Sequence, residues 1–164
     1  MRTLTLIRHA KSSWDYPELG DFERPLNPRG RRDAPAMAQR LLRLPPRPDL
    51  LVSSPALRAL TTARLFADVL GFKPEDVVVN TKIYEATPHT LVQIAQSFDD
   101  GLRHVMLFGH NPGISHCAHL LADCTFDEMP TCAAARIELA AKSWSDVGAG
   151  SGRLVHYTFP KDSA

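Results

Sequence analysis

Polar and apolar residues alternate along most of Arg2 to Arg8, in the order Thr3-Leu4-Thr5-Leu6, and this period of two predicts a β-strand over 2–8. Short apolar runs at Leu50-Leu51-Val52, Val77-Val78-Val79 and Val105-Met106-Leu107-Phe108 predict further strands over 49–53, 76–80 and 103–109. Between them the pattern lengthens to the helical repeat over 28–44, 55–70, 88–98 and 112–122, and two last strands are expected near 133–140 and 153–159. This alternation argues for one α/β three-layer unit, a largely parallel sheet flanked by helices on both faces. The last two strands form an antiparallel pair if the Ser/Gly-containing connection from Lys142 to Gly152 carries no helix.

The second helix has the clearest stripe, with Ala56, Leu60, Ala63, Ala67 and Leu70 on one side and Arg58, Thr61 and Thr62 off it. Ser54-Pro55 reads as its cap with proline at the first helical position, which puts Arg58 in the first turn, where its charge adds to the helix dipole. Asn27-Pro28 starts the first helix and Ala34, Ala38, Leu41 and Leu42 form its stripe, while Pro35 predicts a kink or a late start.

With 164 residues and a formal net charge of +1, the chain makes a single domain without global attraction to nucleic acid or an anionic membrane. The short run from Pro28 to Arg32 lies where a helix begins and reads as its solvated face. Cys117, Cys124 and Cys132 are odd in number and lack Cys-x-x-Cys spacing, so reduced thiols and a cytoplasmic location are expected. His116, Cys117, His119 and Cys124 include zinc-type ligands, but on one helix they would not converge, and no metal is expected. Strand pattern begins at Thr3, leaving no room for a targeting segment, and no apolar run approaches membrane-spanning length.

The first strand delivers Arg8, His9 and Lys11 together at its carboxyl end. A neutral imidazole is a nucleophile near neutral pH, and a guanidinium can grip phosphoryl oxygens through paired hydrogen bonds. A lone histidine after a strand is often structural, yet Arg58, Glu85 and His110 also follow strand ends, where ligands of open α/β sheets bind. Neither a Walker-type loop, a Gly-x-Gly-x-x-Gly motif nor a Gly-x-Ser-x-Gly elbow is present.

Five separated motifs carry a resemblance: Arg8-His9-Ala10-Lys11, Asp21-x-x-Arg24-Pro25-Leu26-Asn27-Pro28-Arg29-Gly30, Ser53-Ser54-Pro55-Ala56-Leu57-Arg58, Tyr84-Glu85-Ala86 and Gly109-His110-Asn111-Pro112-Gly113. In this order they resemble the histidine phosphatase superfamily, in its small SixA-type phosphohistidine phosphatase branch. The resemblance implies a phosphoglycerate mutase-like fold and a two-step, metal-independent phosphoryl transfer with no cofactor. His9 would become phosphorylated, while Arg8, Arg58 and His110 would hold the phosphoryl oxygens, helped by helix amino ends after Ser54 and Asn111.

Glu85 stands where superfamily members acting on phosphate esters place a proton donor; a glutamate near a strand end is often only a salt-bridge partner of its loop, but a catalytic or substrate-orienting role is expected here. The common Arg-His-Gly becomes Arg-His-Ala here, which puts in question any role of that glycine in close backbone approach. Lys11 could approach the phosphate or stay exposed, and Arg24 is expected to anchor its loop. His89, His104, His116, His119 and His156 are expected to be structural. The substrate class stays open between a phosphorylated protein carrying phosphohistidine and a small phosphorylated metabolite, with a non-catalytic phosphate-binding module as the alternative to an enzyme. A short chain has little room for a lid, which favours an open site.

Overall fold

In the computed structural model, which describes residues 1–162, β1 (Arg2–Arg8) lies inside a mixed sheet between β4 (His104–Gly109) and β5 (Ala134–Leu139). β2 (Leu50–Ser53) flanks β4, β3 (Val78–Val79) closes one edge and β6 (Gly152–Thr158) the other, giving the six-stranded order β3-β2-β4-β1-β5-β6. The first four strands of that order run parallel, whereas β5 pairs antiparallel with β1 and β6 antiparallel with β5. The connection before β6 contains a 3₁₀ turn, Trp144–Asp146, whose buried Trp144 donates its indole N–H to the Leu102 carbonyl (2.8 Å).

The side-chain period of a strand builds both cores. Leu4 and Leu6 of β1 and Val105 and Leu107 of β4 pack under α3 (Pro88–Gln96) and α4 (Gly113–Leu121). Ile7, Leu51, Met106 and Phe108 face the other way, against α1 (Pro28–Leu42) and α2 (Leu57–Leu70). Phe66 of α2 meets Phe108 edge-on at 5.0 Å between ring centroids, the preferred aromatic geometry in a packed core. The three-layer α/β arrangement expected from the alternating pattern is the one observed. Among the described residues no helix is long and apolar enough to cross a membrane.

Local differences from the expected elements have identifiable causes. Asn27 caps α1 by accepting the Gly30 N–H on its side chain (2.8 Å), and the helix continues through Pro35, which neither delays nor ends it. Gly30 is required there, because a Cβ would collide with the Lys11 backbone that it packs against. α2 starts at Leu57, two residues later than expected, and no side chain caps it. Ser54 is turned towards β4 instead. Arg58 and Thr62, expected off the core stripe, are buried, since that face of α2 lies against the loop after β1. Thr62 Oγ1 accepts the Ala10 N–H (3.0 Å) and donates to the Arg58 carbonyl (2.7 Å), tying that loop to the helix.

Candidate active site

Parallel pairing in register brings three strand ends to one place. Arg8 is aligned with Gly109 and Ser53 with Phe108, so the residues that follow, His9, His110 and Ser54, emerge side by side. Backbone bonds carry the alignment past the strands: His9 N–H donates to Gly109 and Ser54 N–H to Phe108, both at 3.1 Å. The His9 and His110 rings lie 5.3 Å apart. From the other side, Cys132 N–H donates to both the Arg8 carbonyl (3.1 Å) and the His9 carbonyl (3.0 Å). Cys132 holds this position with a φ of 63°, and among the described residues the other non-glycine at positive φ is Glu85, at 57°; both strained residues abut the site.

His9 is 6% exposed and its Nδ1 lies 2.7 Å from the Ala10 carbonyl. A carbonyl only accepts, so that contact places the ring proton on Nδ1 and leaves the lone pair on Nε2. Nε2 is thereby the ring nitrogen that could act as a nucleophile. Arg8 is fixed by donation from Nη1 to the Met129 carbonyl (3.0 Å), which also accepts from Asn111 Nδ2 (2.9 Å), so one distant loop orients both residues. His110 Nε2 meets Ser54 Oγ at 2.8 Å. Three buried nitrogens, Arg8 Nε, Arg58 Nε and His110 Nδ1, have no hydrogen-bond partner among the described residues. Leaving a buried donor unpaired costs ~1–3 kcal/mol, and unpaired nitrogens of this kind can be satisfied by the oxygens of an anion.

Arg58 is braced by a residue to which no role attaches in the sequence. Its Nη1 donates to the Asp21 carbonyl (2.6 Å) and its Nη2 to Asp21 Oδ2 (3.0 Å), which occupies the end of the guanidinium and leaves the Nε edge free. Tyr84 hydroxyl donates to the same Oδ2 (2.7 Å). These bonds, with that from Tyr84 foremost, hold the Asp21 carboxyl below its ordinary range and raise the Tyr84 phenol. Arg24 is buried and donates to Ser12 Oγ (2.7 Å) and more distantly to Asp21 Oδ1 (3.4 Å). It anchors its loop, as expected, from inside through Ser12 and outward through its ion pair with the exposed Asp21.

A cavity of about 540 Å³ opens beside these groups, lined by Asp21, Arg58, Tyr84, Glu85, His110 and His116 among others. Glu85 reaches it exposed, held out from β3 by the 3₁₀ turn Thr81–Ile83 that follows the strand. His116, expected to be structural, stands exposed on the same wall. Lys11 is half-buried and does not line the cavity; its backbone packs on Gly30. His104 is structural, buried between Thr5 Oγ1 (2.7 Å) and the Pro46 carbonyl (2.9 Å). Cys117, buried in the core, has its thiol pushed up to about 12, and among the described residues no group of three or more His, Cys, Asp and Glu side chains is placed to share a metal ion.

Burial is the main force on the site histidines, with Arg58 and Arg8 adding repulsion: His9 is pushed down to about 3 and His110 to about 4. Both rings are neutral near pH 7. Burial brings His104 down to about 4 as well. In the unfolded chain each returns to ~6.5, so as pH falls from there towards 4 the unfolded state takes up protons the folded state refuses. Stability is therefore full above about pH 6.5 and falls on acidification, by up to ~1.4 kcal/mol per pH unit for each such histidine. Urea unfolding at about pH 7 and pH 5 should show this loss, and His104→Gln should flatten it without touching the site; midpoints independent of pH in the wild type would contradict the assignment.

Residues 4–87 match the histidine phosphatase superfamily (branch 1). An uncharacterized chloroplastic protein of Arabidopsis thaliana is 33% identical over 159 residues, an alignment that spans 92% of this chain and 72% of that protein. A solved structure from Agrobacterium tumefaciens, provisionally assigned as the phosphohistidine phosphatase SixA, is similar with a TM-score of 0.76 at 25% identity, covering 97% of this chain and 98% of that one. The protein histidine phosphatase SixA complexed with tungstate shares the fold, with a TM-score of 0.81 at 22% identity over 96% of this chain and 97% of its own. The fold is accordingly phosphoglycerate mutase-like. A family match over half of the sequence, joined to relatives aligned along nearly all of it, shows that the chain belongs to the histidine phosphatase superfamily, in its SixA-type branch, and is a phosphatase.

Proposed function

We propose that the chain hydrolyses phosphohistidine in two displacements at His9, without a metal. His9 Nε2 attacks the phosphorus, an N–P bond forms, and the bond to the substrate imidazole breaks; that ring, already protonated by solvent on its other nitrogen, leaves as neutral imidazole. Water then attacks the phosphohistidine, the Nε2–P bond breaks, and inorganic phosphate departs. Splitting the reaction makes each displacement easier than direct attack by water. The observation that carries this reading is the set of unpartnered buried nitrogens, Arg8 Nε, Arg58 Nε and His110 Nδ1, around a neutral nucleophile. Preorganised donors of this kind stabilise the charge on equatorial phosphoryl oxygens.

Ser54 supports the same role for His110. Its hydroxyl oxygen accepts the Ala56 N–H (3.2 Å), and its own proton can be given to His110 Nε2. That tautomer puts the imidazole proton on Nδ1, the atom with no protein partner, and makes it a donor to phosphate. The substrate class draws its support from the solved structure provisionally assigned as SixA. The test is turnover of a phosphohistidine peptide in excess EDTA: full activity is expected, and loss restored by one specific metal would overturn the metal-independent reading.

A second reading, hydrolysis of phosphate monoesters, is favoured by Glu85 on the cavity wall. An alkoxide leaving group needs a proton, and general acid help of about 10²–10⁴-fold is expected for it, whereas an imidazole of pKa ~6.5 is a far better leaving group. Glu85→Gln should therefore slow alkyl phosphate hydrolysis much more than phosphohistidine hydrolysis. Equal losses in kcat/KM on both substrates would instead make Glu85 a positioning residue.

A further inference from the structure

We propose that the exposed loop over 14–23 is a docking surface for a protein substrate, receiving apolar side chains bordered by Lys or Arg next to the phosphorylated histidine. This rests on the phosphohistidine reading above and extends it to what surrounds that histidine.

The loop places Trp14 (74% exposed), Tyr16 (48%), Leu19 (37%) and Phe22 (42%) in solvent within nine consecutive residues. Trp14 is nonetheless fixed: the Arg24 guanidinium, held from within by Ser12 and Asp21, stacks over its ring at 3.7 Å. Between Trp14, Tyr16, Pro17, Leu19, Asp21 and Arg24 lies a cavity of about 320 Å³. Asp21 lines both this cavity and the one beside His110, so the two adjoin at that residue. A run of rings makes the same link, from His9 to His110 (5.3 Å), to Tyr84 (5.6 Å), to Phe22 (5.3 Å).

Charge selects the occupant. Residues 14–23 contain no Lys or Arg, and besides Asp21, which is paired with Arg24 and Arg58, they carry three exposed carboxylates, Asp15, Glu18 and Glu23. A small dianionic metabolite would be repelled by this rim and gain nothing from the rings outside the 540 Å³ cavity. A polypeptide that extends beyond its phosphohistidine reaches the rings with apolar side chains and the carboxylates with basic ones. The preorganised Trp14 lowers the ordering cost of that contact.

Two synthetic peptides test the surface, each phosphorylated on a single histidine with phosphoramidate. One carries leucines and lysines around the histidine, the other serines and glutamates. The wild type should favour the first by on the order of tenfold in kcat/KM, mostly through KM. The double variant Trp14→Ser with Tyr16→Ser should erase that preference while para-nitrophenyl phosphate turnover stays unchanged, which also shows that the variant is folded. Tyr16→Ser with Leu19→Ser should act the same way with the Arg24–Trp14 stack retained. Hydrolysis of both peptides at equal kcat/KM by the wild type, or a preference that survives in both variants, would overturn the surface alone. Hydrolysis of neither, with para-nitrophenyl phosphate still consumed, would overturn the phosphohistidine reading and the surface together.

Discussion

His9→Ala is expected to lower turnover by on the order of 10⁴-fold or more, since in the proposed mechanism the variant loses the atom that forms the covalent intermediate. The imidazole is placed for that role by its Nδ1 bond to the Ala10 carbonyl, which aims the lone pair from Nε2, and by burial, which keeps the ring neutral. Rapid quenching of the wild type with phosphorus-labelled substrate should trap an adduct that is labile in acid and stable in base, and the variant should show none. Removing a buried ring leaves a void, so circular dichroism must show the variant folded. Activity near the wild-type level in a folded His9→Ala protein would end the nucleophile assignment.

Arg58→Ala should cost on the order of 10²–10³-fold in kcat/KM, the loss expected when a preorganised donor at developing charge is removed. The geometry makes a further demand of this residue. Asp21 takes the end of the guanidinium with two hydrogen bonds and Nε has no partner, so in the proposed mechanism the side chain is oriented at one end and serves the phosphoryl group at the other. Lysine has neither two ends nor a planar fork, and Arg58→Lys should recover only a small part of the loss. Steady-state kinetics on para-nitrophenyl phosphate check both variants; a lysine variant equal to the wild type would show that charge alone is needed.

The sequence by itself determined the layered α/β architecture, because strand and helix periods are local and the chain alternates between them without ambiguity at β1, β2 and β4. It also determined that Arg8, His9, Arg58 and His110 would share a strand-end site, for the carboxyl ends of parallel strands all open on the same edge of the sheet. Only the tertiary structure decided the partners of those residues. Ser54 looks like a helix cap from its neighbours, yet its hydroxyl meets His110, 56 residues away, and the helix starts at Leu57 without a side-chain cap. Asp21 lies 37 residues from Arg58 and 63 from Tyr84, and Met129 lies 121 from Arg8, distances over which no sequence period carries a signal. The same holds for Thr62, whose place off the apolar stripe is a polar contact with the nucleophile loop. Secondary structure follows from the order of side chains along the chain, whereas the orientation of a charged or tautomeric group follows from whichever donors and acceptors the packed layers bring within about 3 Å of it.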